Sequence, residues 1–116
     1  NETLSLVISD VNKEVELDQL GTPTEVGQTL IDKVIAPEGS GRSVKLINAS
    51  QRGDEKHIFY DLEYELKLNE QDRHELATVV IDRGSLYTFA VGTNEDRWNK
   101  VENMFKNVIE SFNFLI

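Results

Sequence analysis

The sequence has no cysteine among its 116 residues. That absence removes disulfides, thiolate zinc sites and a cysteine nucleophile, and it leaves the compartment open, because a cysteine-free domain folds in reducing or oxidising surroundings. Basic residues are scarce: 12 Lys and Arg against 21 Asp and Glu give a net charge of −9. Such a surface repels phosphate backbones and anionic lipid heads, so no nucleic-acid partner is expected. Long apolar runs are also missing, none approaching the ~18 residues of a membrane span, and a soluble domain is expected. The opening Asn1-Glu2-Thr3-Leu4 lacks a basic region followed by an apolar one, so no cleavable targeting segment is expected within the chain. Hydrophobic residues make up 39% and aromatics 8%, enough for one modest core, and a single domain over residues 1–116 is expected rather than two.

What is present reads as alternating strands and helices. Leu4, Leu6, Val7, Ile8 and Val11 form a short apolar, β-branched run that ends in Asn12-Lys13-Glu14, which predicts a strand. Thr22-Pro23-Thr24-Glu25 supplies a capping hydroxyl, a proline at the first helical position and a carboxylate able to bond back to the cap. A helix follows with Val26, Leu30, Ile31 and Val34 on one stripe, ending at Ala36 before Pro37. Val44, Leu46 and Asn48 alternate with Lys45 and Ile47, and Gln51 to Glu55 predicts a turn. Ile58, Tyr60, Leu62, Tyr64, Leu66 and Leu68 then share one face of an unbroken strand, with Asp61, Glu63, Glu65 and Lys67 on the other, a core face and a solvated face. After a turn at Asn69–Asp72, the runs Arg73–Asp82 and Ser85–Val91, joined by Arg83-Gly84, carry apolar residues on both faces and predict strands covered on both sides. Asn94 is placed to cap a last helix with Glu95 and Asp96 in its first turn and Trp98, Val101, Phe105, Val108, Ile109 and Phe112 at core spacing. The order predicts an α+β domain with a largely antiparallel sheet and helices packed on it.

The chemistry-bearing residues are few. Asp61, Glu63 and Glu65 start roughly 6.5 to 7 Å apart along a strand face, near the spacing of an inverting glycosidase pair. A general acid needs an apolar pocket, however, and these alternate with the core as an ordinary solvated face does. His57 and His74 fit no compact ligand spacing. His74 has Asp72 and Glu75 beside it, and Glu95 would reach it if the adjoining strands bring those segments together, giving a weak divalent site as the alternative to a structural histidine. Ser40, Ser43, Ser50 and Ser85 lack a G-x-S-x-G context, Gly39-Ser40-Gly41-Arg42 lacks the ending of a phosphate loop, and Asn48-Ala49-Ser50 is a chance-frequency glycosylation sequon. From Asp54 to Glu75 there are eight acidic residues and three basic ones, an acidic patch that serves solubility or meets a basic partner.

Several segments together resemble the PsbP family: Leu20-Gly21-Thr22-Pro23-Thr24-Glu25-Val26, Arg73-His74-Glu75-Leu76-Ala77, Asp82-Arg83-Gly84-Ser85-Leu86-Tyr87-Thr88, Arg97-Trp98 and Val108-Ile109-Glu110-Ser111-Phe112. Asp72-Arg73-His74-Glu75-Leu76 is closer to the cyanobacterial-type and PsbP-like branch than to the plant oxygen-evolving enhancer. The resemblance implies an α-β-α sandwich and a non-enzymatic role as an extrinsic or assembly factor of photosystem II in the thylakoid lumen. Photosystem II core subunits or assembly intermediates are the implied partners of a monomeric protein. It also implies further N-terminal strands, and in the cyanobacterial branch a lipid-anchor cysteine, which would lie outside this chain. By position His74 matches the family's histidine after arginine, and Glu95 the acidic residue three before the tryptophan, so His74 and Glu95 are the implied metal ligands for weakly bound Zn, Mn or Ca. The rival readings are a metal carrier without a fixed partner and a Ran-binding nuclear import regulator of similar fold. A sheet sealed by helices on both sides leaves a polar skin as the expected recognition surface.

Overall fold

A computed structural model describes residues 2–11, 16–53, 57–68 and 71–112. The elements are β1 (Thr3–Asp10), a 3-10 turn (Leu17–Leu20), α1 (Pro23–Leu30) continuing into a π-helical turn (Ile31–Ile35), β2 (Arg42–Gly53), β3 (Ile58–Leu68), β4 (Gln71–Asp82), β5 (Ser85–Asn94), a 3-10 turn (Glu95–Arg97) and α2 (Trp98–Ser111). The five strands form one sheet in the order β1-β5-β4-β3-β2, every neighbouring pair antiparallel. No helix among the described residues is long and apolar enough to cross a membrane.

The capping box works as its sequence predicts. Glu25 N–H donates to Thr22 Oγ1 at 3.2 Å and Thr22 N–H to Glu25 Oε1 at 2.9 Å, so two orphan donors are satisfied reciprocally. At the β4–β5 hairpin, Arg83 and Gly84 take φ of 51° and 82°, the pair of left-handed residues that lets a two-residue turn match the twist of its strands. The expected break at Asn12-Lys13-Glu14 and the tips Asp54-Glu55 and Asn69-Glu70 lie outside the described residues.

Two cores form, one on each side of the sheet. α1 lies on β2 and β3, where Val26 and Leu17 pack with Tyr60, Leu62, Tyr64, Ala77 and Val79. α2 lies on β4 and β5 on the opposite face, where Trp98, Val101, Phe105 and Ile109 meet Leu76, Phe89 and Val91. This is the expected α-β-α arrangement, and β4 is buried on both faces from Leu76 to Val80. It does not extend to β1, whose eight residues are all exposed, Leu4 at 66% and Ile8 at 57%. The helices are offset over different strands, and neither reaches that edge. A polar skin alone therefore misdescribes the surface: an apolar edge strand is part of it.

Two expectations about β2 and β3 are corrected. Pairing continues through Gln51, Arg52 and Gly53 to Tyr60, Phe59 and Ile58, so these residues are strand where their polarity predicts turn. A register shift between Leu46 and Asn48 moves Asn48 off the face of Val44 and Leu46, as a bulge does to every side chain beyond it. The acidic face of β3 is not a solvated face either. Asp61, Glu63 and Glu65 are half-buried on the α2 side, and Arg52 reaches across them. Its guanidinium donates to Asp61 Oδ2 at 2.7 Å, to Thr78 Oγ1 at 3.2 Å and to the Ile109 carbonyl at 2.8 Å, with its centre 4.3 Å above the Phe59 ring. The Ile109 carbonyl belongs to the last turn of α2, where carbonyls lack the N–H four residues on; it accepts from Phe112 N–H at 3.1 Å and from Arg52, so Arg52 staples that helix end to the sheet.

Candidate metal centre

The β3–β4 hairpin sets the site. Leu68 pairs with Gln71, which places Glu65 opposite His74 and Glu63 opposite Leu76. On β4 the side chains of His74 and Leu76 share the α2 face, and β5 brings Thr93 opposite His74 before the chain turns through Glu95 into α2. Trp98, the first residue of α2, thereby lands on His74. The two rings are stacked, centroids 3.8 Å apart and 18° from parallel, and His74 is only 4% exposed.

Both nitrogens of the buried ring face carboxylates. Nδ1 lies 3.0 and 2.9 Å from the two oxygens of Glu95, and Nε2 lies 2.6 Å from Glu63 Oε2. A carboxylate only accepts, whereas a neutral imidazole has one N–H and one lone pair, so both contacts are hydrogen bonds only when both nitrogens carry protons. With one proton, a ring lone pair points at a carboxylate, and a cation between them would satisfy both. Glu65 completes the arrangement: donor atoms of Glu65, His74 and Glu95 lie within 4.8 Å of one another. One imidazole and two carboxylates make a mixed N/O donor set suited to a first-row divalent ion.

His74 and Glu95, named from the sequence, are thus brought together. Their sequence neighbours are not. Glu75 points to the other face of the sheet, where Tyr64 Oη donates to it at 2.8 Å and Arg73 Nε stands 3.5 Å away. Burial and the adjacent Glu75 carboxylate push the Tyr64 hydroxyl well above its ordinary range. Gly92 makes room for this group, since a Cβ there would sit 2.7 Å from the Glu75 carboxylate oxygen. Asp72 is exposed and, with Gln71, Asn94, Glu95 and Asp96, lines an acidic groove of about 500 Å³ beside the centre. His57 pairs with Asp82 at 3.0 Å at the opposite end of β4. Asn94 is also not the side-chain cap expected of it, because its Oδ1 accepts from Arg73 at 3.3 Å and its side chain makes no cap bond.

Sequence reasoning did not join Glu65 to His74 and Glu95, and missed Glu63 as the Nε2 partner and Trp98 as the residue covering the ring. The signal existed in the hairpin: β4 starts at Gln71, two residues before the expected Arg73, and pairing counted from Leu68 and Gln71 sets Glu65 against His74.

The sequence model of the PsbP family matches residues 1–114. The chain belongs to the PsbP family. It is 43% identical to CyanoP of Thermosynechococcus vestitus, over 96% of this chain and 63% of that protein. To CyanoP of Synechocystis sp. it is 38% identical, over 97% and 60%. To PsbP-like protein 1, chloroplastic, of Arabidopsis thaliana it is 30% identical, over 99% and 49%. The chain therefore spans about three-fifths of the length of these CyanoP relatives. The solution structure of cyanobacterial PsbP (CyanoP) from Synechocystis sp. PCC 6803 superposes with a TM-score of 0.84 at 37% identity, covering 98% of this chain and 68% of that one. A Pseudomonas aeruginosa protein of unknown function, titled a putative regulator, shares the fold at a TM-score of 0.63 and 13% identity, over 98% of this chain and 85% of that one.

Proposed function

We propose that this PsbP-family chain is a non-enzymatic extrinsic or assembly factor of photosystem II, working on the lumenal side of the thylakoid membrane and making or breaking no bond itself. The observation that carries the reading is membership of the family along nearly the whole chain, with two CyanoP proteins among its relatives. Attachment to the membrane runs through the complex it binds or through an anchor outside these residues. The test is co-purification with photosystem II and its assembly intermediates from thylakoids, abolished by charge reversal on one face. Absence from every such fraction refutes the reading, and capture of a small GTPase without thylakoid association would favour a Ran-binding regulator.

A second reading is favoured by the buried ring between carboxylates. Glu65, His74 and Glu95 would hold a divalent ion, zinc or manganese ahead of calcium because calcium prefers oxygen donors throughout. Three protein donors leave the remaining positions to water, so binding is expected to be weak. The chain has a single tryptophan, and it is the one stacked on His74, so fluorescence reads the site directly. Titration with Mn²⁺ is expected to change Trp98 emission in wild type but not in His74→Ala. An unchanged wild-type emission, with no heat in calorimetry, refutes a metal role.

A further inference from the structure

The two carboxylates on His74 differ in origin and exposure. Glu63 stands in the middle of β3 with its side chain 21% exposed and meets Nε2 at 2.6 Å. Glu95 opens the 3-10 turn, is 35% exposed and meets Nδ1 at 2.9 Å. Glu65 joins His74 and Glu95 in one donor group, and Glu63 does not. The Trp98 stack fixes the plane of the imidazole, but a ring stacked in a plane can still turn half a revolution about its Cβ–Cγ bond and keep that plane. Something must select between the two flips, since only one of them sets a nitrogen against Glu95.

We propose that Glu63 is the positioning residue of this centre: by accepting the Nε2 proton it selects one flip and one tautomer of His74, and leaves Nδ1 as the nitrogen turned toward Glu95. The proposal rests on reading Glu65, His74 and Glu95 as the cation ligands. A carboxylate accepting from the far N–H of a metal-bound histidine fixes its orientation and raises its basicity. Glu63 is suited to that role because it sits on a central strand paired on both sides, while its distance from Nε2 is the shortest contact the ring makes. It lies on the other side of the ring from Glu95 and so does not compete with it for the cation.

The experiment uses the whole chain labelled with ¹⁵N-histidine, as wild type, Glu63→Gln and Glu63→Leu, with His74→Gln to assign the signals. Long-range ¹H–¹⁵N correlation reports which His74 nitrogen carries the proton, before and after Zn²⁺, and Trp98 fluorescence gives the zinc affinity. In wild type a hydrogen-bonded Nε2–H is expected in both states, with zinc shifting Nδ1. Glu63→Gln, which keeps an acceptor, should retain the tautomer with a displaced Nε2 shift and near wild-type affinity, whereas Glu63→Leu should lose the fixed tautomer and bind zinc about 10–100-fold more weakly. Zinc on Nε2, or a folded Glu63→Leu with wild-type tautomer and affinity, overturns the proposal. Should Glu63→Leu fail to fold, an Nε2 shift unmoved in Glu63→Gln overturns it. If wild type binds no zinc, the cation reading falls on its own. A hydrogen-bonded Nε2–H in the metal-free wild type would then still support Glu63 as the orienting group, and its absence would overturn that too.

Discussion

Arg52→Leu tests whether the polar layer under α2 is structural. In the native chain Arg52 holds Asp61 Oδ2 at 2.7 Å, with both side chains about a quarter exposed at 25% and 23%. Asp61 Oδ1 is already buried with no hydrogen-bond partner, so losing Arg52 leaves a carboxylate with neither oxygen satisfied by protein. Removing one member of a fully buried pair costs about 3–5 kcal/mol. The partial exposure here lets water recover some of that, but Thr78 loses its Arg52 donor and the Ile109 carbonyl keeps only the Phe112 N–H at 3.1 Å, so about 2–3 kcal/mol is expected. At ~2.1 cal/mol/K per residue of unfolding entropy, this corresponds to a Tm drop of about 8–12 °C. Urea unfolding of wild type, Arg52→Leu, Asp61→Leu and the double variant gives the coupling. The double variant should be more stable than Arg52→Leu alone, because no stranded charge remains. An Arg52→Leu midpoint within experimental error of wild type, or zero coupling in the cycle, would refute the reasoning.

Gly92→Ala is expected to cost about 1–3 kcal/mol in urea unfolding, because the new Cβ would sit 2.7 Å from a Glu75 carboxylate that Tyr64 and Arg73 hold in place; an unshifted midpoint would show that Glu75 yields freely. The Arg97 guanidinium and the Thr93 hydroxyl hold the Glu2 carboxyl down at about 2 against an ordinary 4.5. A depressed folded value stabilises above the unfolded pKa and is lost as pH falls toward the folded one, so the stability gap between wild type and Glu2→Gln should be full near neutrality and close between about pH 4.5 and 2. A gap constant over that window would count against the tether. For Tyr64 the sign is opposite: its hydroxyl is raised well above 10, so its contribution is present below that pH and is lost as pH rises. Tyr64→Phe should therefore shift the alkaline unfolding midpoint, followed by near-ultraviolet circular dichroism, and coincident wild-type and variant curves would refute it.

Periodicity carried the fold well where one constraint acted. The alternation Tyr60, Leu62, Tyr64, Leu66 places the α1 face of β3 in the core, and the Thr22-Pro23-Thr24-Glu25 signal fixes the start of α1, because parity and caps are local properties. The opposite face of β3 was misread for a reason of the same kind. Alternation says which residues share a face but not what lies over it, and only the tertiary position of α2 decides that Asp61, Glu63 and Glu65 are half-buried. Likewise Gln51 to Gly53 look like a turn in composition, yet Arg52 earns its place in a strand through Asp61 and Phe59 on the partner strand and through Ile109, 57 residues away.

The site was legible only as far as residue type and family position reach. His74 and Glu95 could be named, but the third member of the donor group depends on the β3–β4 register, and a two-residue error there replaces Glu65 with Lys67 opposite His74. Trp98 shows the same limit from the other side. Its core spacing on α2 is real, since it packs with Phe105 at 6.2 Å in an edge-on contact, and the same ring is stacked on an imidazole between carboxylates. One side chain closes the apolar core and covers the polar centre, so a disturbance of the His74 cluster must reach the packing of α2 and cannot remain a surface event.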